Sequence, residues 1–566
     1  MRRVVAFLLL LPLVPTGPAA ADRPDGRMFA TRSIVYARHG MVAAAHPLAV
    51  EIGLDVLKKG GTAVDAAIAV NAALGFLEPV SSGIGGDLFA IVWDAKTKKF
   101  YGLNASGRSP LALTADKVPP EPDGTIPLYS PYAWTVPGCV DGWFELHARF
   151  GRMPMKEILA PAIRSAREGE PVPQGIAAAW ERGGRAFRDK PDFAATFLPG
   201  GKAPHEGEVF RNPDLARAYE AIADRGRDAY YRGPIAEAIV ALSRRVGGFF
   251  APDDFASHRS EWVEPVSTSY RGVVLSELPP NGQGISALEL LNILEGFDLK
   301  GMGRGSATFW HTMVEAKKLA FEDRARYIAD PAFAKVPVDG LVSKDYARSQ
   351  AKRIDPVRAA ARLDFGHPPL AGGDTTYLAV ADSEGNMVSL IQSNYTGFGS
   401  GYVVEGWGFG IQDRGGLFSL KPGSPNLLEP GKRPFHTIVP AFLTRDGKPW
   451  IAFGVMGGDM QPQGHAQVVV NLLDFGMNLQ EAGDAARFYH TGSSEPTGTL
   501  MTTGGILYLE SGVPAEVRRD LVQMGHRVAD TNPAAFGGYQ AVAIDPVTGV
   551  YAGASESRKD GCAMGY

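Results

Sequence analysis

The chain has 566 residues, 45% of them hydrophobic and 21% charged, the proportions of an ordinary globular protein with room for a large core. A formal net charge of -4 argues against a general nucleic-acid binder. The two cysteines, Cys139 and Cys562, stand too far apart for a CxxC redox or zinc motif.

At the N-terminus, Arg2 and Arg3 precede an apolar run from Val4 to Val14, and Ala19–Ala21 supply small residues for cleavage. This order of charged, short apolar and small-residue regions predicts a secretory signal peptide over 1–21. We therefore expect an exported protein, periplasmic or secreted, whose mature chain begins near Asp22. Residues 40–76 read as two helices. The first runs from Pro47 to Lys59; the second starts at Thr62, with Asp65 three residues on as a capping box. The second helix, "AVDAAIAVNAALGF", is apolar nearly all round and belongs inside the protein.

Leu88–Trp93 and Phe100–Leu103 read as a hairpin. From Met153 to Arg362 the spacing is mostly helical, interrupted by the β-like "SYRGVVLSEL". After Thr375 come two more hairpins, "YLAVAD"/"MVSLIQS" and "IVPAFLT"/"PWIAFGV", then helices near Gly464–Leu473 and Pro514–Met524 and a late strand, "QAVAID". Strands near both ends around a helical middle predict an α+β layered core with a large helical region.

The chain carries no HExxH, EF-hand loop, P-loop or GxSxG elbow; no metal and no cofactor are expected. What stands out is "GGDTTYLAVADSEGN", Gly372–Asn386. A threonine hydroxyl needs a neighbouring base. The residue's own α-amine, with a pKa of roughly 7.7–8.0, suits that role once the bond before it is cut. Thr is common in strands, however, and Thr502–Thr503 form a second such pair with no claim to chemistry. The glycines of "AGGD" permit a sharply turned backbone before the candidate bond. Gly457 and Gly458 of "VMGGDM" follow a strand, where consecutive N–H groups would make an oxyanion hole. "SNYTGFGSG", from Ser393, ends the partner strand of the threonine strand. These features fit acyl transfer.

The blocks "SSGIGGDLFA", "PPNGQGISALELLNILE", "GDTTYLAVAD", "FGSG", "GKRPFHTIVPAF", "GVMGGDMQPQGHAQVVVNLLDFGMN" and "GASESRKDG" occur in this order. With them the chain resembles the γ-glutamyltransferase family of N-terminal-nucleophile hydrolases over almost its whole mature length. The resemblance implies a four-layer αββα fold and autocatalytic cleavage between Asp374 and Thr375. The products would be a large subunit, 22–374, and a small subunit, 375–566, which stay associated. It further implies Thr375 as nucleophile and, through its amine, base, with Gly457 and Gly458 as the oxyanion hole. Thr376, next along the strand, points to the opposite face.

The substrate pocket departs from the family pattern. Leu417 stands where the family carries an ammonium-binding Asp, Arg414 where it often has Gln, His436 and Thr437 where it has paired serines, and Ser106 in place of an Arg, with Arg108 two residues on. Arg108, Ser393, Asn394, Arg414, His436 and Thr437 are the expected substrate-binding residues. Losing an ammonium partner while gaining cationic groups suits an acyl group with a carboxylate and no ammonium. Three functions follow from these readings: transfer or hydrolysis of γ-glutamyl amides such as glutathione, with water, an amino acid or a peptide as acceptor; an acylase for glutaryl-type amides, as in the family's acylase-like branch; or an exported binding protein that never matures. No nucleic acid and no membrane span in the mature protein are expected among the partners.

Overall fold

The computed structural model describes residue 29 and residues 31–366, 378–529 and 536–566. The leader over 1–21, the cleavage site at Asp374 and Thr375, and Thr376 lie outside the described residues.

Two seven-stranded antiparallel sheets form the centre. In the first, the strand order is Cys562–Gly565, Met41–Ala44, Leu378–Ala381, Met387–Ser393, Asp87–Asp94, Lys99–Ala105, Glu261–Val263. In the second it is Val35–Ala37, Tyr551–Ser555, Tyr539–Ile544, Lys448–Val455, Ala441–Arg445, Val273–Glu277, Val266–Tyr270. Side-chain alternation along each strand divides the core into layers. Met41, Phe89, Ile91, Ala379 and Ala381 meet Phe442, Ala452 and Val542 between the sheets. Their sequence neighbours Val42, Leu88, Ala90, Leu378 and Val380 turn outward onto one helical layer, and Leu443, Ile451, Phe453 and Ala541 turn onto the other. The result is αββα.

The helices on the first sheet include Pro47–Lys58 and Ala63–Leu77. Thr62 and Asp65 form the reciprocal cap, with Asp65 N donating to Thr62 Oγ1 and Thr62 N to Asp65 Oδ2. Every residue of Ala63–Leu77 is buried. The outer face of the second sheet carries Gly284–Leu294, Ala307–Tyr327 and Met460–Leu473. Among the described residues no helix is long and apolar enough to cross a membrane.

The structure corrects several boundaries. Residues 41–44 form a strand, not the approach to a helix. The helix expected at Gly464 begins at Met460. "SYRGVVLSEL" is no isolated interruption, since Val266–Tyr270 and Val273–Glu277 pair as the edge hairpin of the second sheet. Strands Tyr551–Ser555 and Cys562–Gly565 had no signal that the sequence reading used.

Candidate active site

The strand registers bring distant segments to one end of the two sheets. Leu378 pairs with Leu390, so Gln392 and Ser393 run on past it, and Ser393 pairs with Asp87. Leu88 pairs with Ala105, which delivers Ser106 to the same end. In the second sheet Val455 pairs with Tyr539, and Phe442 with Ser276. The segments that follow or precede these strands, carrying Asn281, His436, Thr437, Gly457 and Gly458, are thereby gathered there. His436 N donates to Asn281 O (3.0 Å), and Asn104 Nδ2 to Asn281 Oδ1 (2.9 Å), which ties the sheet ends together.

His436 is fully buried, and its Nε2 lies 3.0 Å from Asp87 Oδ2. Asp87 Oδ1 also accepts from Gly107 N, Gly138 N and Gln412 Nε2. Burial opposes the Asp87 charge, but the bond and proximity to His436, the Arg414 guanidinium and Gln412 outweigh it and hold the carboxyl below its ordinary range. Burial and then Arg414 push His436 down to about 3. The imidazole is therefore neutral near pH 7, donates from Nε2, and accepts at Nδ1 from Ile438 N (3.4 Å). This corrects the expectation of a third cation, because His436 supplies no positive charge.

Arg414 is fully buried and charged. Its Nη1 donates to Thr437 Oγ1 at 2.5 Å, and its guanidinium lies 4.7 Å from the Tyr395 ring centre. Two of the expected substrate-binding residues thus meet directly. Tyr395 takes a left-handed φ of 77°, held by a bond from its N–H to Ser393 Oγ (2.8 Å). Asn394 donates from its backbone N to Ser81 O (3.2 Å) and from Nδ2 to Ser82 O (3.0 Å); its Oδ1 has no partner among the described residues. Next to Arg414, the buried carboxyl of Asp413 accepts from Thr396 N and Oγ1. Burial outweighs those bonds and pushes Asp413 up to about 6.

Gly457 and Gly458 follow the Lys448–Val455 strand with φ of 118° and 58°. Their N–H groups find no acceptor among the described residues, and Gly457 is exposed. A Cβ on Gly457 would stand 3.2 Å from both Gly537 Cα and Met460 Cβ. The loop is tied down from below: Gln283 Nε2 donates to Gly458 O (3.3 Å), and Arg324 donates to Gln283 Oε1, to Asp459 Oδ1 (2.6 Å) and to Glu495 Oε2. Asp459 and Glu495 lie against each other. Burial raises Glu495, while Arg324 keeps Asp459 ionised.

Arg108 stands apart from this cluster. Its guanidinium donates to Glu261 Oε1 (2.6 Å) and Gly431 O (3.3 Å) and lies 3.7 Å from Asp330. No contact joins it to Arg414, His436 or Thr437 among the described residues. Ser106, at the place of the family's Arg, bonds Asn104 Oδ1, and Leu417 is buried in the apolar core. Sequence reasoning passed over Asp87, Gln283, Arg324, Asp413 and Asp459. Asp87, Gln283 and Asp459 lie inside the quoted glycine-rich blocks and were open to notice. Arg324 sits in an unremarkable helix and becomes visible only through its partners. The one grouping with metal-ligand character among the described residues is His311, Glu315 and His526. The two rings already bond each other (2.8 Å), and Lys318 Nζ neutralises Glu315 (2.7 Å).

The profile of the family described as gamma-glutamyltranspeptidase matches residues 49–566. The glutathione hydrolase-like YwrD proenzyme of Bacillus subtilis (strain 168) is 38% identical over 533 residues, covering 93% of this chain and 98% of the relative. The Acylase ACY 1 proenzyme of Pseudomonas sp. (strain SE83) is 36% identical over 535 residues, covering 92% of each chain. Among solved structures, the cephalosporin acylase from Bacillus halodurans aligns with a TM-score of 0.87 at 42% identity, covering 98% of this chain and 99% of that one.

Proposed function

Because the chain belongs to the gamma-glutamyltranspeptidase family, we propose that it is an exported, self-cleaving enzyme that hydrolyses or transfers the acyl group of γ-glutamyl amides such as glutathione. Cleavage between Asp374 and Thr375 yields the large and small subunits and frees the α-amine of Thr375. The Thr375 hydroxyl attacks the amide carbonyl, and its proton passes through that amine to the departing nitrogen. Water, or the amine of an amino acid or peptide, then takes the acyl group from the threonine ester. The proenzyme names of the relatives support the cleavage.

The observation that carries this reading is the pair Gly457–Gly458, two consecutive left-handed residues with N–H groups that meet no acceptor among the described residues. Donors fixed in advance and left unpaired suit an oxyanion that exists only during reaction. Arg414 with Thr437 suits the carboxylate of the acyl group.

A second reading, an acylase for glutaryl-type amides, is favoured by one observation. Leu417, in place of an ammonium-binding acid, is part of the apolar core. The likeness to a cephalosporin acylase supports it too. Turnover of γ-glutamyl-p-nitroanilide against glutaryl-p-nitroanilide decides between them, and a strong preference for the glutaryl compound overturns the first. Mass spectrometry of the purified protein tests the shared chemistry. A fragment spanning 375–566 is expected, and a Thr375→Ala chain stays whole; splitting of that variant at the same bond removes the self-cleavage mechanism.

A further inference from the structure

Two helices begin beside the candidate oxyanion hole. Met460–Leu473 follows Gly457 and Gly458 after one residue, Asp459, and Gly284–Leu294 starts after Gln283, whose side chain meets Gly458. An aspartate at a helix start ordinarily accepts from the first turn of its own helix. Here neither Asp459 nor Gln283 caps its helix with a side-chain bond among the described residues. Both side chains turn instead to one guanidinium, that of Arg324. Its Nη1 donates to Gln283 Oε1 and to Asp459 Oδ1 (2.6 Å), and its Nη2 donates to Glu495 Oε2. Arg324 is fully buried, with its guanidinium 4.0 Å from the Phe321 ring centre and 5.4 Å from that of Phe435. A planar fork in a fixed seat can hold three acceptors at set angles, which a lysine ammonium on a flexible stem cannot.

The hold reaches the glycines from both flanks. Gln283 passes it on through Nε2 to Gly458 O (3.3 Å), and Asp459 is the next residue along the chain, its own carbonyl accepting from Gln463 Nε2 (2.9 Å). The same contact settles charge. Asp459 and Glu495 stand beside N–H groups that would receive an oxyanion, and their side chains are 30% and 27% exposed. A bare carboxylate there would repel the negative charge the hole has to stabilise. Arg324 offsets one such charge, and burial favours the protonated form of Glu495.

We propose that Arg324 is a positioning residue for the oxyanion hole, fixing the direction of the Gly457 and Gly458 N–H groups through Asp459 and Gln283. The inference rests on the acyl-transfer reading, and on the place of these glycines in it, but not on which acyl group is carried. Donors aimed at an oxyanion act on the transition state rather than on bound substrate, so loosening the clamp lowers kcat and spares KM.

The test is made at Asp459, which is partly exposed and replaceable with less risk to folding than Arg324. Asp459→Ala and Asp459→Asn are made in the full chain, checked for processing, and their active sites counted by burst titration. With whichever p-nitroanilide wild type cleaves, γ-glutamyl or glutaryl, Asp459→Ala is expected to lower kcat tenfold or more with KM within twofold. Asp459→Asn, which keeps an oxygen for Arg324, is expected to recover most of the loss. An unchanged kcat in Asp459→Ala, a loss carried by KM, or an asparagine as harmful as the alanine overturns the proposal. Should wild type cleave neither compound, the acyl-transfer reading fails on its own; there, or where a variant is not processed, the clamp is read without turnover. Met460 N and Gln461 N donate to Gly457 O and Gly458 O (each 3.1 Å). Their hydrogen exchange is expected to quicken at least tenfold in Asp459→Ala, while amides of the distant helix Ala63–Leu77 keep their rates. Unchanged exchange at Met460 and Gln461, or a rise shared by both helices, overturns the clamp.

Discussion

His436 and Asp87 form a fully buried pair, Nε2 to Oδ2 at 3.0 Å, across 349 positions of sequence. The carboxylate is charged and the ring neutral, so the pair acts as scaffold rather than as a second cation beside Arg414. Asp87 accepts four donors in all, from His436, Gly107, Gly138 and Gln412. Asp87→Ala strands them together, and at about 1–3 kcal/mol for each unsatisfied buried group the loss is expected to be at least about 4 kcal/mol. Asp87→Asn keeps the acceptors for three donors but turns an N–H toward the His436 N–H, for about 1–2 kcal/mol. Urea unfolding of both variants in the uncut Thr375→Ala background measures this. A loss under about 1 kcal/mol for the alanine variant contradicts the assignment.

Arg414 bears the positive charge that His436 does not. Its bond to Thr437 and its seat over Tyr395 fix the guanidinium in place. A charge-assisted bond to a substrate carboxylate is worth about 1.5–3 kcal/mol, so Arg414→Gln is expected to lower kcat/KM by roughly tenfold to a hundredfold for donors whose acyl group ends in a carboxylate. An acyl donor of the same length without that carboxylate should be little affected. Arg108→Gln, by contrast, breaks contacts to Glu261 and Gly431 and is expected to leave kcat/KM within about threefold. If the Arg108 variant suffers the larger, substrate-dependent loss, the two roles are reversed.

The difference between those two arginines shows where the sequence runs out. Local features were legible. The Thr62–Asp65 cap lies within one helical turn, and the hairpins from Leu378 and Ala441 carry their own alternation and turns. The strands Met41–Ala44 and Cys562–Gly565 were not, because both are four residues long and they find each other across the whole chain, Met41 opposite Gly565. Residue type marked Arg108, Arg414 and His436 as cations. What each is worth depends on partners far along the chain: Glu261 for Arg108, Thr437 for Arg414 and Asp87 for His436. No spacing rule reports a charge cancelled by a neighbour that only folding supplies.

The two glycines of the candidate oxyanion hole should not be equivalent. Gly458 has φ 58° and open space where a Cβ would go, so an alanine there meets only the left-handed penalty, about 1–2 kcal/mol. Gly457 has φ 118°, at the far side of the left-handed range, and its Cβ would press on Gly537 and Met460 at 3.2 Å. Gly457→Ala is therefore expected to shift the loop and cost roughly a hundredfold or more in kcat, the scale of a lost oxyanion donor, with Gly458→Ala several-fold milder. Single-turnover acylation rates separate the two. Equal losses would mean that the N–H positions do not depend on this geometry.

Each buried histidine should make the protein less stable in acid. Burial comes first among the causes at each of five rings, pushing His46 and His258 to about 4 and His436, His465 and His526 to about 3. Above the ordinary value of about 6.5 these rings are neutral folded or unfolded and add no pH dependence. As pH falls below it, the unfolded chain takes up protons that the native state refuses, and stability drops by about 1.4 kcal/mol per pH unit for each ring until the native values near 3–4 are reached. Asp413, raised to about 6, works in the opposite sense, since its contribution is present below about 4 and lost as pH rises through 6, and the buried carboxyls of Glu78, Glu277, Glu289 and Glu495, also raised by burial, act with it. The histidine share of the acid slope is therefore read by difference, from a variant that lacks one ring. His465, whose Nδ1 meets Glu277 and whose Nε2 accepts from Val455 N, is the ring to remove. His465→Gln should lower stability at pH 7.5 yet flatten the acid slope by about one proton. A slope unchanged by that substitution would mean that His465 titrates in the folded protein much as it does in the unfolded chain.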